Sequence, residues 1–213
     1  IGIESTSEFG WVDFIVKKFK KVDNALSLGS GSGRVEEAFI KRGFVKQFDT
    51  IDIIKKNHLN DGVNDLNFIS LPNNKYDFIL CKAILHHIIN LEHLLFQVNK
   101  ALTNDGIIVV KEFCGESSGQ WSDKKINILN RKIKDKFGQK YPFLKIQKSP
   151  MWNSSPFEGI RSSEIHPIIK KYFGNNTEFE VTYNGAAYPI MLNLFFIASY
   201  NSRYYNSFLY NLV

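Results

Sequence analysis

Four short apolar runs, spaced along the chain by helical stretches, constrain its fold more than any other feature. They are "NALSL" (Asn24–Leu28), "FDTIDI" (Phe48–Ile53), "YDFILC" (Tyr76–Cys81) and "IIVVKEF" (Ile107–Phe113). Each reads as a strand. Val35–Arg42 reads as a helix stopped by Gly43. In the next helix Leu91, Leu94, Leu95, Val98 and Leu102 recur at helical spacing. Asn90 is placed to cap it, Glu92 sits in its first turn, where the helix dipole favours an acid, and "TNDG" ends it. Upstream, Ser5 or Ser7 can cap a first helix running to about Lys20. Strands alternating with helices predict an α/β fold, a parallel sheet with helices on both faces.

The second half is less regular. Ser122 to about Phe137 reads as a basic helix. Gln139–Pro156 holds Pro142, Pro150 and Pro156 among Tyr141, Phe143 and Trp152, a composition that suits a lid better than a linker. Ser162 or Ser163 caps a helix to about Phe173, and "EFEVTY" (Glu178–Tyr183) reads as a strand. The run from Ala186 lacks period-2 alternation and leans to helix. With no internal repeat, the reading is one domain over residues 1–213, with a helical and aromatic cap inserted at about 115–175.

Composition removes several classes. Two Cys in 213 residues make no disulfide framework, so a reducing, cytoplasmic setting is expected. The longest apolar run, Ala186–Ala198, contains Pro189 and Asn193 and falls short of the about 20 residues that span a bilayer. A formal charge of +6 permits acidic partners, although the basic residues are spread among acids. The chain starts at Ile1 rather than Met, as a trimmed chain or a piece of a longer protein does.

"NALSLGSGSGRVEEAF" then raises the question of a ligand. Gly29, Gly31 and Gly33 permit a tight strand-to-helix turn and the close approach of a ligand to the backbone. The phosphate-binding loop of nucleotide triphosphatases needs Gly-Lys-Ser/Thr, which is missing. The dinucleotide fingerprint needs Gly or Ala at position 34, where Arg34 stands. Asp52 ends the next strand, at about the spacing from which an acid bonds ribose hydroxyls.

The remaining pattern resembles the first motif of class I methyltransferases, which bind S-adenosylmethionine. "NDLNFISLPNNKYDFILCKAILHHIINLEHLL" resembles that family's middle section, and "ALTNDGIIVVKEFCG" its L-x-x-G-G-x-x-x-x-x-E section. "GQWSD", "SPFEGIRSSEI" and "YNGAAYP" resemble a bacterial subgroup associated with sugar and glycan modification. The resemblance runs from about Ser5 to Val213. It implies a Rossmann-like fold of class I methyltransferase type and a set of roles. Gly29, Ser30, Gly31 and Gly33 would cradle the methionine and ribose. Asp52, followed by Ile53, would hold the ribose hydroxyls. Asp65 and Leu66 would flank the adenine, and Cys81 and Lys82 would border the cofactor. S-adenosylhomocysteine would be the product.

Two departures stand out. The family usually has an acid where Ser27 stands, so one partner for the cofactor's ammonium is missing. Only twelve residues separate Asp52 from Asp65, where a full helix and strand usually lie. "IIKKNHLNDGVN" has room for one or two helical turns and a stub of strand. Either the outer strand or the adenine pocket is expected to suffer.

Methyl transfer is an in-line displacement that depends on alignment, and a hydroxyl acceptor gains from a base. Glu112, His86 and His87 are the candidates, with Glu112 or His87 favoured as base and the other positioning the acceptor. Adjacent His86 and His87 do not make a metal site by spacing, and no metal is expected. Trp121, Trp152 and Arg161 fall in the cap, where aromatics suit sugar faces and Arg161 suits an anionic group. The reading is methyl transfer, most simply O-methylation, to a small molecule or glycan. One alternative is an inactive methyltransferase-like binding or assembly domain. The other is an RNA methyltransferase using the basic helix, although "CKAI" stands where an N/D-P-P-Y/F motif for base amino-methylation would be.

Overall fold

A computed structural model of the chain describes residues 9–54, 60–112, 114–117, 123–137 and 156–174. Five parallel strands run β1 (Ala25–Leu28), β2 (Phe48–Asp52), β3 (Asn60–Val63), β4 (Tyr76–Lys82) and β5 (Leu102–Lys111), in the order β3-β2-β1-β4-β5. The chain therefore builds outward from β1 on one side, then returns to build from β4 on the other. The switch point between β1 and β4 is where an open α/β sheet receives a ligand, at the carboxyl ends of its strands.

Alternation along the strands splits the core in two. Leu26 and Leu28 of β1 and Ile79 and Cys81 of β4 pack on one face with α3 (Leu91–Ala101) and the later part of α5 (Ser162–Phe173). Ala25, Phe78 and Leu80 pack on the other face with α1 (Gly10–Lys18) and α2 (Arg34–Lys41). Burial on both faces is what a parallel sheet requires. The second face is largely aromatic. Phe39 sits between Phe44, Phe48 and Phe78, with ring centroids 5.2 to 6.1 Å away. Such tilted pairs contribute about 0.5–1.5 kcal/mol each beyond area burial. Arg42 closes this side by donating to Asp13 of α1 at 2.6 Å.

The chain divides into two compact units, Ile1–Glu112 with Ile165–Phe179, and Phe113–Glu164 with Glu180–Val213. The sheet belongs to the first. In the second, α4 (Asp123–Phe137) buries Ile126 and Ile133, seven residues apart, and exposes Lys124, Arg131, Lys132 and Lys134. The lid at Gln139–Pro156, apart from Pro156 itself, and the elements expected at Glu178–Tyr183 and from Ala186 onward lie outside the described residues. So do Ser5 and Ser7. The first helix starts at Gly10, after Phe9, which makes no side-chain cap.

Three expectations need correction. "TNDG" does not lie between α3 and a later strand, because α3 passes directly into β5 at Leu102. Tyr76 pairs with Leu102 and Phe78 with Ile107, so Thr103–Gly106 bulge opposite Asp77 alone. Thr103 Oγ1 donates to the Asp77 carboxylate at 3.1 Å and pins the bulge. Asn90 occupies the position before α3 but makes no side-chain cap there; its side-chain amide donates instead to the Asn67 carbonyl. The short Asp52–Asp65 segment does not cost the sheet its outer strand. β3 keeps four residues and pairs Asp49–Asp52 with Asn60–Val63 in register.

Candidate functional site

The glycine loop leaves β1 at the switch point. Gly29 and Gly31 have φ of +69° and +55°, in the left-handed region that costs other residues about 1–2 kcal/mol. The two glycines differ in their surroundings. A Cβ at Gly29 would fall 2.4 Å from the Ile84 side chain, which comes from the segment after β4. A Cβ at Gly31 would meet nothing within 4 Å. Gly29 thus lets the loop pack on its neighbour, while Gly31 has open space where a side chain would stand. The Ser30 carbonyl accepts the Gly33 N–H at 3.0 Å, and Gly33 stands just before α2.

Asp52 ties this loop to β2. Its Oδ2 accepts the Gly31 N–H at 2.9 Å and its Oδ1 accepts the Ile54 N–H at 3.1 Å. Each carboxylate oxygen has a further lone pair, enough for two vicinal hydroxyls. The Asp52 carbonyl accepts the Asn64 N–H at 3.0 Å, so the truncated segment returns the chain to Asp52. Ile53 is well exposed beside it.

A second corner forms where β4 ends. Ala83 takes φ +52°, and its N–H donates to the Lys111 carbonyl at 2.9 Å. The 3-10 turn Leu85–His87 follows. Glu112, just past β5, organises it. One oxygen, Oε2, accepts the N–H groups of Ile84 at 2.8 Å and Leu85 at 2.6 Å. The other, Oε1, meets His86 Nδ1 at 2.5 Å. Both side chains are enclosed, with 1% of Glu112 and 7% of His86 exposed. His87 is half-buried, its ring centroid 4.0 Å from that of His86.

A family profile described as a methyltransferase domain matches residues 9–157. This chain belongs to that methyltransferase family. Its parallel sheet with helices on both faces is the Rossmann-like class I architecture. Among solved structures, an S-adenosylmethionine-dependent methyltransferase from Mesorhizobium loti is 17% identical over 51% of this chain and 55% of that one, with a TM-score of 0.42. A Pyrococcus horikoshii protein is 17% identical over 53% and 61%, with a TM-score of 0.44. The Bradyrhizobium japonicum N-methyltransferase NodS, solved with S-adenosyl-L-homocysteine, is 18% identical over 42% and 52%, with a TM-score of 0.37. The chain thus spans 52% to 61% of the length of these proteins. No curated protein matches it.

Membership of this family brings S-adenosylmethionine as cofactor and S-adenosylhomocysteine as product. The methyltransferase loop fits that ligand on its own geometry. Gly31 leaves open the space that a side chain would fill, and the Asp52 carboxylate is already fixed against the loop. Lys82 is exposed at the end of β4. It lies opposite Lys111, whose ammonium is pushed below its usual range by burial and then by Lys82. The Lys111 ammonium also rests 5.0 Å from the Trp11 ring centroid.

Other expected residues sit differently. The Cys81 side chain is fully buried in the core, and burial, followed by the charge of Glu112, pushes its thiol well above the ordinary range. Cys114 is exposed, and both are free thiols. Leu66 is likewise a core residue, packed in the cluster that holds Ile69 and Leu71. Asp65 Oδ1 accepts both the backbone and side-chain N–H of Asn67, at 2.9 Å each. In the second unit the Arg161 guanidinium meets Glu164 through Nε and Nη2, at 3.1 and 2.6 Å. Trp121 and Trp152 lie outside the described residues.

Three residues matter that the sequence did not single out. Asn67 Oδ1 accepts the N–H groups of Ile89 and Asn90, each at 3.0 Å, and joins the Asp65 turn to the segment after His87. Ile84 fills the space that Gly29 leaves. Glu36 is buried on α2 beneath the loop, where its position in "RVEEAF" gives an acid no reason to be hidden.

Proposed function

We propose that this chain transfers the methyl group of S-adenosylmethionine to a hydroxyl oxygen of a small molecule or glycan. The observation that carries the reading is the Glu112–His86–His87 corner at the carboxyl end of β4, next to the Gly29–Ile84 contact. When bound, the cofactor supplies a methyl carbon on a sulfonium, and its displacement leaves a neutral thioether that needs no acid. The acceptor oxygen–carbon bond forms as the sulfur–carbon bond breaks. The hydroxyl proton passes to a ring nitrogen of His87. Glu112 has both oxygens engaged, which suits holding His86 and the turn better than taking a proton. His86 in turn positions the His87 ring. Gly29, Ser30, Gly31 and Gly33 carry the methionine and ribose, and Asp52 the ribose hydroxyls. Ile53, Asp65 and Lys82 border the cofactor. Sequence alone assigns Trp121, Trp152 and Arg161 to the acceptor. The glycan preference and cytoplasmic setting belong to the same proposal; among the described residues no helix is long and apolar enough to cross a membrane.

The test has two steps. Calorimetry with S-adenosylhomocysteine asks whether the loop binds, with Gly31→Val and Asp52→Ala as controls. Labelled S-adenosylmethionine is then offered with sugar, nucleotide-sugar and RNA acceptor sets. Label on a sugar hydroxyl, lost by about 10²–10⁴-fold in His87→Gln while cofactor binding holds, is the expected result. Cofactor binding without turnover on any set favours the binding-domain alternative, and label on RNA favours the nucleic-acid one.

A further inference from the structure

We propose that Glu36, through its Oε2 oxygen, is the partner of the ammonium group of S-adenosylmethionine. The proposal rests on the cofactor assignment above and names a residue for it. Glu36 lies in the first turn of α2, three residues past Gly33, and is 3% exposed. Its Oε1 accepts the Ser27 hydroxyl at 2.5 Å. Its Oε2 is buried and has no hydrogen-bond partner among the described residues. A buried carboxylate oxygen left unfilled is costly, and such oxygens in native proteins call for an explanation.

The location narrows the explanation. Ser27 is two residues before Gly29, on the strand between β2 and β4. Oε2 therefore lies one carboxylate width from a hydroxyl at the foot of the glycine loop. The charged groups acting on Glu36 are Lys82 of β4 and Glu37 of its own helix, which oppose each other, and no described cation bonds it. Burial, the largest influence, holds its carboxyl above the ordinary value.

The ligand has one charged donor that matches. Its sulfonium carries no hydrogen, and its ribose hydroxyls are matched by Asp52. Its ammonium brings a full positive charge and three N–H groups to whatever faces the methionine end. Glu36 Oε2 is a buried acceptor that lacks a donor, beside the loop that receives that end. The acid expected on β1 has in effect moved to α2, and Ser27, standing in its place, orients it.

The test is calorimetry on the full chain with S-adenosylhomocysteine and with its analogue lacking the amino group. Glu36→Gln keeps the side-chain outline and removes the charge. The expected result is about 10- to 100-fold weaker binding of S-adenosylhomocysteine, with less than about threefold change for the desamino analogue. Equal losses for the two ligands, or no loss, overturn the proposal. Should Glu36→Gln fail to fold, the double variant Ser27→Asp with Glu36→Leu returns the acid to the strand. Recovery of amine-dependent binding then supports the proposal, and its failure in a folded double variant overturns it. A wild-type chain that binds neither ligand overturns the cofactor assignment itself, a result distinct from binding that ignores the amine.

Discussion

Glu112 Oε1 lies 2.5 Å from His86 Nδ1, and this pair closes the turn that follows β4. The same carboxylate takes two backbone N–H groups, so it is the internal support of the corner. Replacing it with Gln removes the charge that strengthens these bonds. We expect Glu112→Gln to lower stability by about 1.5–3 kcal/mol, the scale of hydrogen bonds to a charged group. Chemical denaturation measures it, and an unchanged midpoint would remove Glu112 from its supporting role.

Asp52 binds the loop to β2 and, in the proposed complex, the ribose as well. Asp52→Ala should weaken S-adenosylhomocysteine binding about 10- to 100-fold. 5′-Methylthioadenosine, which keeps the ribose and lacks the amino acid, should lose affinity by a similar factor. A variant that loses the first ligand and retains the second would place Asp52 away from the ribose.

Gly29 and Ile84 make a steric pair. Gly29→Ala should destabilise the chain, because its Cβ enters the space of the Ile84 side chain and its φ is positive. In the double variant Gly29→Ala with Ile84→Ala, the combined loss should be smaller than the sum of the two single losses, by about 0.5–3 kcal/mol. Additive losses in thermal or denaturant melts would mean that the contact carries no such clash.

Glu36 gives a pH signature to the protein without ligand. Its folded-state pKa is raised above 4.5, so the folded protein holds this proton more tightly than the unfolded chain. The cost of its charge is absent below about 4.5 and grows as pH rises through the raised folded value. Glu36→Gln should therefore melt higher than wild type at pH 7 to 8, with the gain fading toward pH 4. A gain that is the same at every pH would show that charge burial is not its source.

The sheet was largely legible in the sequence. "NALSL", "FDTIDI" and "YDFILC" appear as β1, β2 and β4, and the leucines of α3 are buried as their spacing required. What escaped depended on partners distant along the chain. "TNDG" carries turn residues, yet Leu102 pairs with Tyr76 and Ile107 with Phe78, so tertiary pairing makes the turn a bulge within β5. Asn90 has the chemistry of a cap, but Asn67 competes for its side chain. Leu66 stands next to a candidate acid, and only the fold shows that it faces the core. Of the site, Gly31 and Asp52 were readable because motif spacing brings them together. Glu36 was not, since nothing in "RVEEAF" reveals that Ser27 waits nine residues earlier.

The brevity of β3 bears on how this protein behaves in a crowded solution. Among the described residues β3 is an outer strand of only four residues. An outer strand presents unpaired backbone groups to any passing chain, and short ones give a poor template for adding another strand. The compressed connection between Asp52 and Asp65 thus leaves the β3 edge of the sheet little border on which to aggregate.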